Sequence, residues 1–253
     1  MNLKIAYETA IGKVRAKNED DASFFYDQNN NALAIVADGI GGNRAGEVAS
    51  KMAVEGIGKR FENERIQSVK QAYNWIAQQI SFENHEILSI SIKNQQLKGM
   101  GTTFVGFLNI GNQYLICNIG DSRGYLLRNN QLTQLTEDHS YVNELIKAGK
   151  ISKQDAANYP YKNVIVRSLG ISSNAEPAIS DGSINPADQF LLCSDGLTDL
   201  VSESVIQLIM QSSRSTQEKC QQLVTLANQN GGSDNITVLI IEAQFDQGVD
   251  NHE

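Results

Sequence analysis

Short apolar or alternating runs recur in the first half of this chain and again near its end. They predict β-strands at residues 3–9, 23–26, 32–37, 103–109, 113–119, 123–128, 189–193 and 236–242. Polar segments rich in Asn and Gly join several of them: DQNNN (27–31), NIGNQ (109–113) and RNNQ (128–131). Because Asn and Gly tolerate positive φ, these segments indicate tight turns between antiparallel strands.

Four other segments carry apolar residues at helical spacing. They predict helices at 44–62, 67–93, 202–211 and 216–229. In the second, Val69, Ala72, Ile76 and Ile80 follow one another at intervals of three or four residues, which gives that helix one apolar face. Strands interleaved with paired helices predict sheets covered by helices, an α+β sandwich.

One segment, residues 138–165, interrupts this order of strands. It predicts a short helix followed by polar turns, and two interpretations are equally supported: a mobile flap, or a helix and loop packed on the body. No repeat or linker divides the rest of the chain. We therefore expect a single domain over residues 1–245, followed by a polar tail at 246–253 that frays.

Composition and charge narrow the possible functions. The net charge of −8 disfavours nucleic acid or an anionic membrane as a main partner, since both require clustered Lys and Arg. Three cysteines without CxxC spacing predict free thiols in a reducing compartment. No apolar run approaches the roughly 18 residues that span a bilayer, and the first residues lack a signal-peptide pattern. We expect a cytoplasmic protein.

Acidic residues stand repeatedly at the ends of the predicted strands. Apolar runs end at Asp38, Asp121 and Asp195, Asp234 directly precedes a strand, and Glu19 and Asp20 lie together just before another. If these ends converge, the like charges repel unless cations lie among them. Oxygen ligands favour Mg²⁺ or Mn²⁺ over Zn²⁺, and none of the three histidines has metal-ligand spacing. Glycine after Asp38 lets the backbone approach an ion, so the Gly39 carbonyl is a further candidate ligand.

Six motifs in order carry a resemblance to a known family: RAKNEDD, VADGIGG, GMGTTF, NIGDSRGY, CSDGLTD and GGSDNITV. Together they resemble the metal-dependent protein phosphatases of the PPM family, type 2C, in their small bacterial form. The resemblance extends over roughly residues 3–243. It implies a four-layer α-β-β-α sandwich, in which two antiparallel sheets are flanked by helices and a dinuclear Mn²⁺ or Mg²⁺ site lies at one end.

The resemblance also implies a role for each matching residue. Asp38 would bridge the two metals, Asp195 and Asp234 would complete the first, and Glu19 with the Gly39 carbonyl would hold the second. Asp20 matches an acidic position that contacts metal-bound water, and Arg15 matches the arginine that binds the substrate phosphate. Asp121 and Asp199 match a pair that holds a third, weaker ion. The alternative is a purely structural role, in which Asp199 caps the helix near 202 and Asp121 closes a turn.

The implied activity is hydrolysis of phosphoserine and phosphothreonine by direct attack of a water or hydroxide that bridges the metals. Small bacterial members of the family commonly oppose Ser/Thr protein kinases, so the expected partners are phosphorylated signalling proteins, including such a kinase, and we expect a monomer. One feature departs from the family. Some members have a His at the position of Ile40 or Asn43 that is a candidate general acid, and without it the general acid here is unassigned.

Three other functions each match part of the sequence. Cys117 and Arg123 have the C-x5-R spacing of cysteine-dependent phosphatases, yet both lie in predicted strands and Asp121 between them would repel phosphate. A catalytically silent binding or scaffold module would lack metal ligands, and here all of them are present. A phosphatase of small phosphoesters or of a sigma-factor antagonist would use the same site, so the motifs do not distinguish it.

Overall fold

The computed structural model describes residues 2–41, 45–156, 159–161 and 164–244. Its strands are β1 (Asn2–Ala10), β2 (Asp20–Tyr26), β3 (Ala32–Ile40), β4 (Gly101–Thr102), β5 (Phe104–Ile110), β6 (Gln113–Ile119), β7 (Arg123–Arg128), β8 (Gln131–Gln134), β9 (Ala178–Ser183), β10 (Gln189–Cys193) and β11 (Ile236–Gln244). Its helices are α1 (Gly46–Phe61), α2 (Val69–Lys93), α3 (Tyr141–Lys147), α4 (Lys153–Ala156), α5 (Asp195–Thr198), α6 (Glu203–Met210) and α7 (Thr216–Gln229), with a 3₁₀ turn at Gln95–Leu97.

The strands form two antiparallel sheets. One has the order β1-β11-β10-β7-β8, and the other has the order β2-β3-β5-β6-β9 with β4 beside β3. The turns between sequential strands are the polar segments expected from the sequence. Asn30, Gly111, Asn129 and Asn130 adopt positive φ in them, which Asn and Gly do with little strain.

Helices cover the outer face of each sheet, so apolar side chains are buried in three places: between the two sheets, and between each sheet and its helices. Between the sheets lies one apolar cluster, in which the rings of Phe107 and Phe190 stand 4.7 Å apart. A second cluster packs α1 and α2 on the sheet that contains β3. A third packs α5, α6 and α7 on the sheet that contains β10. The predicted α-β-β-α sandwich is confirmed.

The structure differs from the predicted elements mainly at sheet edges. β8 and β9 are edge strands that the pattern did not predict, because the sequence of β9, AISDGS, has too few apolar residues to alternate. β2 begins at Asp20 rather than at 23, and β3 continues to Ile40, so both strands reach into the acidic region. The four long helices lie where the periodicity predicts them; residue 44, the predicted start of the first, is outside the described residues.

The segment 138–165 contains α3 and α4, and its two ends are joined. Ser140 pairs with Ile165 in an isolated β-bridge, and the Val166 amide donates to the His139 carbonyl at 2.9 Å. Among the residues of α3, only Leu145 is buried. The segment 138–165, called the flap from here on, is therefore joined at its base and lightly packed along α3. Residues 157–158 and 162–163 of this segment, and the predicted tail at 246–253, lie outside the described residues.

In the part of the chain that the structure describes, no helix is both long and apolar enough to span a bilayer.

Candidate metal centre

The β2–β3 pair places two of the predicted carboxylates side by side. Asp20 and Asp38 are direct cross-strand neighbours in the antiparallel register. Three hydrogen bonds fix the main chain of Asp38: its N–H donates to the Thr103 hydroxyl at 2.9 Å, while its carbonyl accepts from the Thr103 amide at 2.8 Å and the Thr102 hydroxyl at 2.9 Å. The backbone of Asp38 is thus held on both of its polar groups.

The other sheet brings a third carboxylate to the same place. Ser194, at the end of β10, donates from its hydroxyl to Oδ2 of Asp20 at 2.7 Å and accepts from the Thr237 amide at 3.0 Å. Asp195 follows at once, at the first position of α5. The Asp195 charge is among those that raise the pKa of Asp38. Ser194 therefore joins both sheets where their carboxylates meet.

Asn235 holds the loop that carries Arg15 and Glu19. Its side-chain oxygen accepts from the Glu19 amide at 2.8 Å, and its side-chain nitrogen donates to the carbonyls of Ile11 at 2.9 Å and Lys17 at 2.8 Å. Arg15 donates from Nη2 to Oδ2 of Asp234 at 2.6 Å. The loop is thereby attached to the start of β11, and the predicted phosphate-binding arginine lies beside a predicted metal ligand.

Gly39, near the end of β3, lies against Gly46 at the start of α1. Its N–H donates to the Glu19 carbonyl at 3.1 Å. A Cβ on Gly46 would come within 2.8 Å of the Gly39 carbonyl, and a Cβ on Gly39 would overlap the main chain of Gly46. Only glycine fits at both positions, which explains why the carboxylate at 38 is followed by a residue without a side chain.

Asp121 and Asp199 face a common groove beside these carboxylates. The groove has a volume of about 950 Å³, and Asp195, Arg123 and the flap helix α3 also line it. Asp199 is the C-cap of α5, and its amide donates to the Asp195 carbonyl at 2.8 Å. The N-cap of α6 is Ser202, so the alternative in which Asp199 caps the helix near 202 is wrong.

The site holds several buried carboxylates and too little positive charge nearby to neutralise them. Burial, followed by repulsion from neighbouring carboxylates, raises the pKa of Asp20 to about 7, of Asp121 to about 7 and of Asp195 to about 6. The same causes raise the pKa of Asp38 well above its ordinary value. One oxygen each of Asp20, Asp121 and Asp195 is buried without a hydrogen-bond partner. Such oxygens are costly unless a cation or a proton meets them.

The carboxylates do not close around an ion in the arrangement shown. Across the described residues, no three His, Cys, Asp or Glu side chains are gathered so that they could hold a metal ion as they stand. Arg15 engages Asp234 and Ser194 engages Asp20, so two of the candidate ligands have other partners. The donor chemistry nevertheless fits a hard cation, because all side-chain candidates are carboxylates and three of them have a buried oxygen that lacks a partner.

Sequence reasoning missed the residues that position this site. Ser194, Asn235, Thr103 and Ser122 are buried polar side chains, and the Thr103 and Ser122 hydroxyls lie 2.7 Å apart. Ser194, Asn235 and Ser122 each stand next to a candidate ligand in the sequence, and that adjacency is the one available signal; Thr103, in the motif GMGTTF, has no candidate ligand beside it. His139, read only as lacking metal-ligand spacing, is buried, and its Nδ1 accepts from the Gly120 amide at 3.2 Å.

The structure gives no support to a cysteine nucleophile. Cys117 is buried in β6, where burial raises the pKa of its thiol to about 12. Arg123 donates to both carboxylate oxygens of Asp138 at 2.6 to 3.0 Å, so its guanidinium already has an anionic partner. A neutral thiol buried in one sheet and a paired arginine in the other sheet cannot act as the nucleophile and phosphate-binding arginine of that class.

Comparison with known proteins agrees with the fold and with the family resemblance of the six motifs. The family described as Protein phosphatase 2C matches residues 13–230. A serine/threonine phosphatase stp of Listeria welshimeri is 43% identical over 95% of this chain and 96% of its own length. The S. agalactiae serine/threonine phosphatase superposes with a TM-score of 0.92 at 34% identity, covering 96% of this chain and 100% of that one. The catalytic domain of PstP in complex with two manganese ions gives 0.84 at 34%, covering 96% and 99%.

The sandwich, the acidic site and these similarities define a protein phosphatase, a hydrolase of phosphoproteins. More narrowly, the chain belongs to the protein phosphatase 2C family, and the resemblance seen in its six motifs is confirmed.

Proposed function

We propose that this chain hydrolyses phosphoserine and phosphothreonine in proteins, using two tightly bound Mn²⁺ or Mg²⁺ ions. The observation that carries the proposal is the group of buried carboxylates, brought from both sheets, whose pKa values are raised and whose oxygens lack partners. The relatives named as serine/threonine phosphatases support the substrate class, and the relative solved with two manganese ions supports the cofactor.

In this proposal, Asp38 serves both ions. Asp195 and Asp234 serve the first, Glu19 and the Gly39 carbonyl serve the second, and Asp20 orients water. When bound, the ions would lower the pKa of a water held between them and stabilise negative charge on the phosphoryl group. The chain contributes the fixed main-chain positions of Asp20 and Asp38 on adjacent strands, so binding requires the side chains to turn rather than the strands to move.

Arg15 is proposed to bind the phosphoryl group of the substrate. Its side chain is half exposed, and Asp38 and Glu19 as well as Asp234 interact with its charge. An arginine at the mouth of an acidic site is free to turn its planar fork from a carboxylate to phosphoryl oxygens once cations neutralise that carboxylate. The general acid is unassigned, since Ile40 cannot donate a proton and Asn43 lies outside the described residues.

The test of the function is phosphate release from phosphothreonine peptides in Mn²⁺, compared with the same assay in EDTA. We expect chelation to abolish turnover reversibly and iodoacetamide to have little effect, because Cys117, Cys193 and Cys220 are all buried. Activity that resists EDTA, or that Cys117→Ser removes, would contradict the proposal. No activity at all on any phosphopeptide would favour the silent binding module.

Arg15 is expected to affect all phosphate substrates, whereas the flap is expected to affect mainly peptides. Arg15→Ala should lower kcat/KM on a phosphopeptide and on a small aryl phosphate alike, by roughly 10²-fold, because it removes a charge-assisted contact to the phosphoryl group. Ile146→Ser, in the groove wall formed by α3, should lower it mainly on the peptide. Arg65→Ala, an exposed arginine that bonds Gln28, is the matched control. Equal losses on both substrates from Ile146→Ser would refute this division.

Asp121 and Asp199 are proposed to hold a third, weaker ion. Both line the groove beside Asp195, and the charge of Asp199 contributes to the raised pKa of Asp195. Asp199→Ala should lose much of the turnover while both tight ions still bind, and Asp181→Ala on the edge strand β9 should change neither. Titration calorimetry counts the ions. An unchanged count with normal turnover in Asp199→Ala would reject the third site.

We further propose that the substrates include a Ser/Thr protein kinase, and that the chain acts as a monomeric domain over residues 1–245 in the cytoplasm. The three buried free thiols are consistent with a reducing compartment.

A further inference from the structure

The base of the flap is bonded to the turn that precedes Asp121. The His139 amide donates to the Gly120 carbonyl at 2.8 Å, and the Gly120 amide donates to Nδ1 of His139 at 3.2 Å. One residue earlier, Asp138 accepts from the guanidinium of Arg123 with both carboxylate oxygens. The first two residues of the flap therefore hold both ends of the turn from Gly120 to Arg123.

Within the turn, the Ser122 hydroxyl bonds the Thr103 hydroxyl at 2.7 Å, so Ser122 is held on its own, whereas Gly120 depends on its main chain. Gly120 adopts a φ of +105°, and a Cβ there would come within 2.6 Å of Thr103 Cγ2, so this position cannot carry a side chain of its own. Asp121 follows directly, and its Oδ1 is buried without a partner. The direction of the Asp121 carboxylate thus depends on how firmly the Gly120 backbone is held, and His139 makes two of the bonds that hold it.

The chain just beyond the flap, residues 166–169, reaches the other side of the site. The His139 carbonyl accepts from Val166, and Leu169 exchanges two main-chain hydrogen bonds with Thr102 at 2.8 and 3.1 Å. The Thr102 hydroxyl in turn donates to the Asp38 carbonyl. The first residues of the flap therefore bond Gly120, the neighbour of Asp121, and the chain just beyond the flap bonds Thr102, which contacts the Asp38 carbonyl.

We propose that His139 is a positioning residue. With its imidazole as acceptor and its amide as donor, it fixes the Gly120–Asp121 turn and so couples the placement of the flap to the ability of Asp121 to bind a cation. The inference about the turn stands on geometry alone; only its consequence for the cation rests on the proposed function.

Three substitutions separate the hydrogen bond from the packing of the ring. His139→Asn keeps an acceptor, because its Oδ1 can take the place of Nδ1. His139→Leu keeps comparable bulk without an acceptor. His139→Gln is polar, but its oxygen lies one bond too far along the side chain, and it serves if the leucine variant does not fold. His85→Leu, an exposed histidine on α2 that bonds the Ser81 carbonyl, is the control for loss of a histidine elsewhere.

The primary measurement is amide hydrogen exchange of Gly120, followed by NMR in the metal-free protein. We expect exchange on the order of tenfold faster in His139→Leu and His139→Gln, because a buried amide has lost its acceptor, and near-native exchange in His139→Asn and His85→Leu. Titration calorimetry should then show weaker binding of the weakest Mn²⁺ in the leucine and glutamine variants only.

Two outcomes overturn the inference. If Gly120 exchanges at the native rate in His139→Leu and His139→Gln, the imidazole does not hold the turn. If His139→Asn exchanges as fast as His139→Leu, ring packing rather than the acceptor is responsible. Because exchange is measured without metal or substrate, a wild-type protein without phosphatase activity would refute the proposed function and leave this result standing.

Discussion

Asp38→Asn is expected to lower phosphatase turnover by on the order of 10³-fold or more, since it removes the carboxylate assigned to both ions. Metal ions contribute several kcal/mol of transition-state stabilisation in such sites, and about 4 kcal/mol corresponds to a factor of 10³ in rate. The hydrogen bonds that fix residue 38 use its main chain, so the variant should keep the fold. It should also be no less stable than the wild type without metal, because the lost charge is one that burial and neighbouring carboxylates disfavour.

The matched control for this variant is Asp21→Asn. Asp21 is the next residue on β2 after Asp20, and because successive side chains alternate in a strand it points to the opposite face. Its charge interacts with Lys51 and Glu55 of α1 rather than with the site. Turnover of Asp21→Asn should therefore be close to that of the wild type. An Asp38→Asn enzyme that retains a tenth or more of the activity would show that Asp38 does not hold both ions.

The metal-free protein is expected to lose stability as the pH rises from about 4 to 7, opposite to the usual behaviour of a carboxylate-rich protein. Folding raises the pKa of Asp20, Asp121 and Asp195 from an ordinary value of 3.8 to about 7, 7 and 6. A raised pKa means that the folded state binds protons more tightly than the unfolded state. The resulting stability is complete below the unfolded pKa and is lost as the pH passes through the folded pKa.

Melting temperatures measured in EDTA between pH 5 and 8 test the sign. They should fall with pH, and less so in Asp20→Asn, which removes one of the titrating groups while its side-chain oxygen can still accept from Ser194. At pH 7.5, Mn²⁺ at 100 times its dissociation constant adds about 2.7 kcal/mol per site. Two sites should then raise the melting temperature by roughly 10 °C or more. A melting temperature that rises with pH in EDTA would contradict the raised pKa values.

Pattern alone predicted the elements whose environment is set by one apolar face or by full burial. α2 has a stripe at helical spacing and a Ser68 N-cap that accepts from the Gln71 amide, and the apolar run at 32–37 is buried throughout in β3. The edge strands β8 and β9 were missed because partners on one side, rather than their own composition, keep them extended. The same holds for Asp20, which is in a strand because Asp38 lies opposite it.

For the site, the sequence determined the chemistry and the tertiary structure determined the geometry. Carboxylates at strand ends with glycines beside them predict a hard cation if those ends converge, because oxygen ligands without His or Cys favour Mg²⁺ or Mn²⁺. The sequence could not predict which carboxylate oxygens lack a hydrogen-bond partner, or that Arg15 pairs with Asp234. Nor could it predict that Ser194, Asn235 and His139 hold the loops together. The physical reason is that the energy of a buried polar group depends on atoms within about 3 Å of it, and most of these belong to residues far away in the sequence.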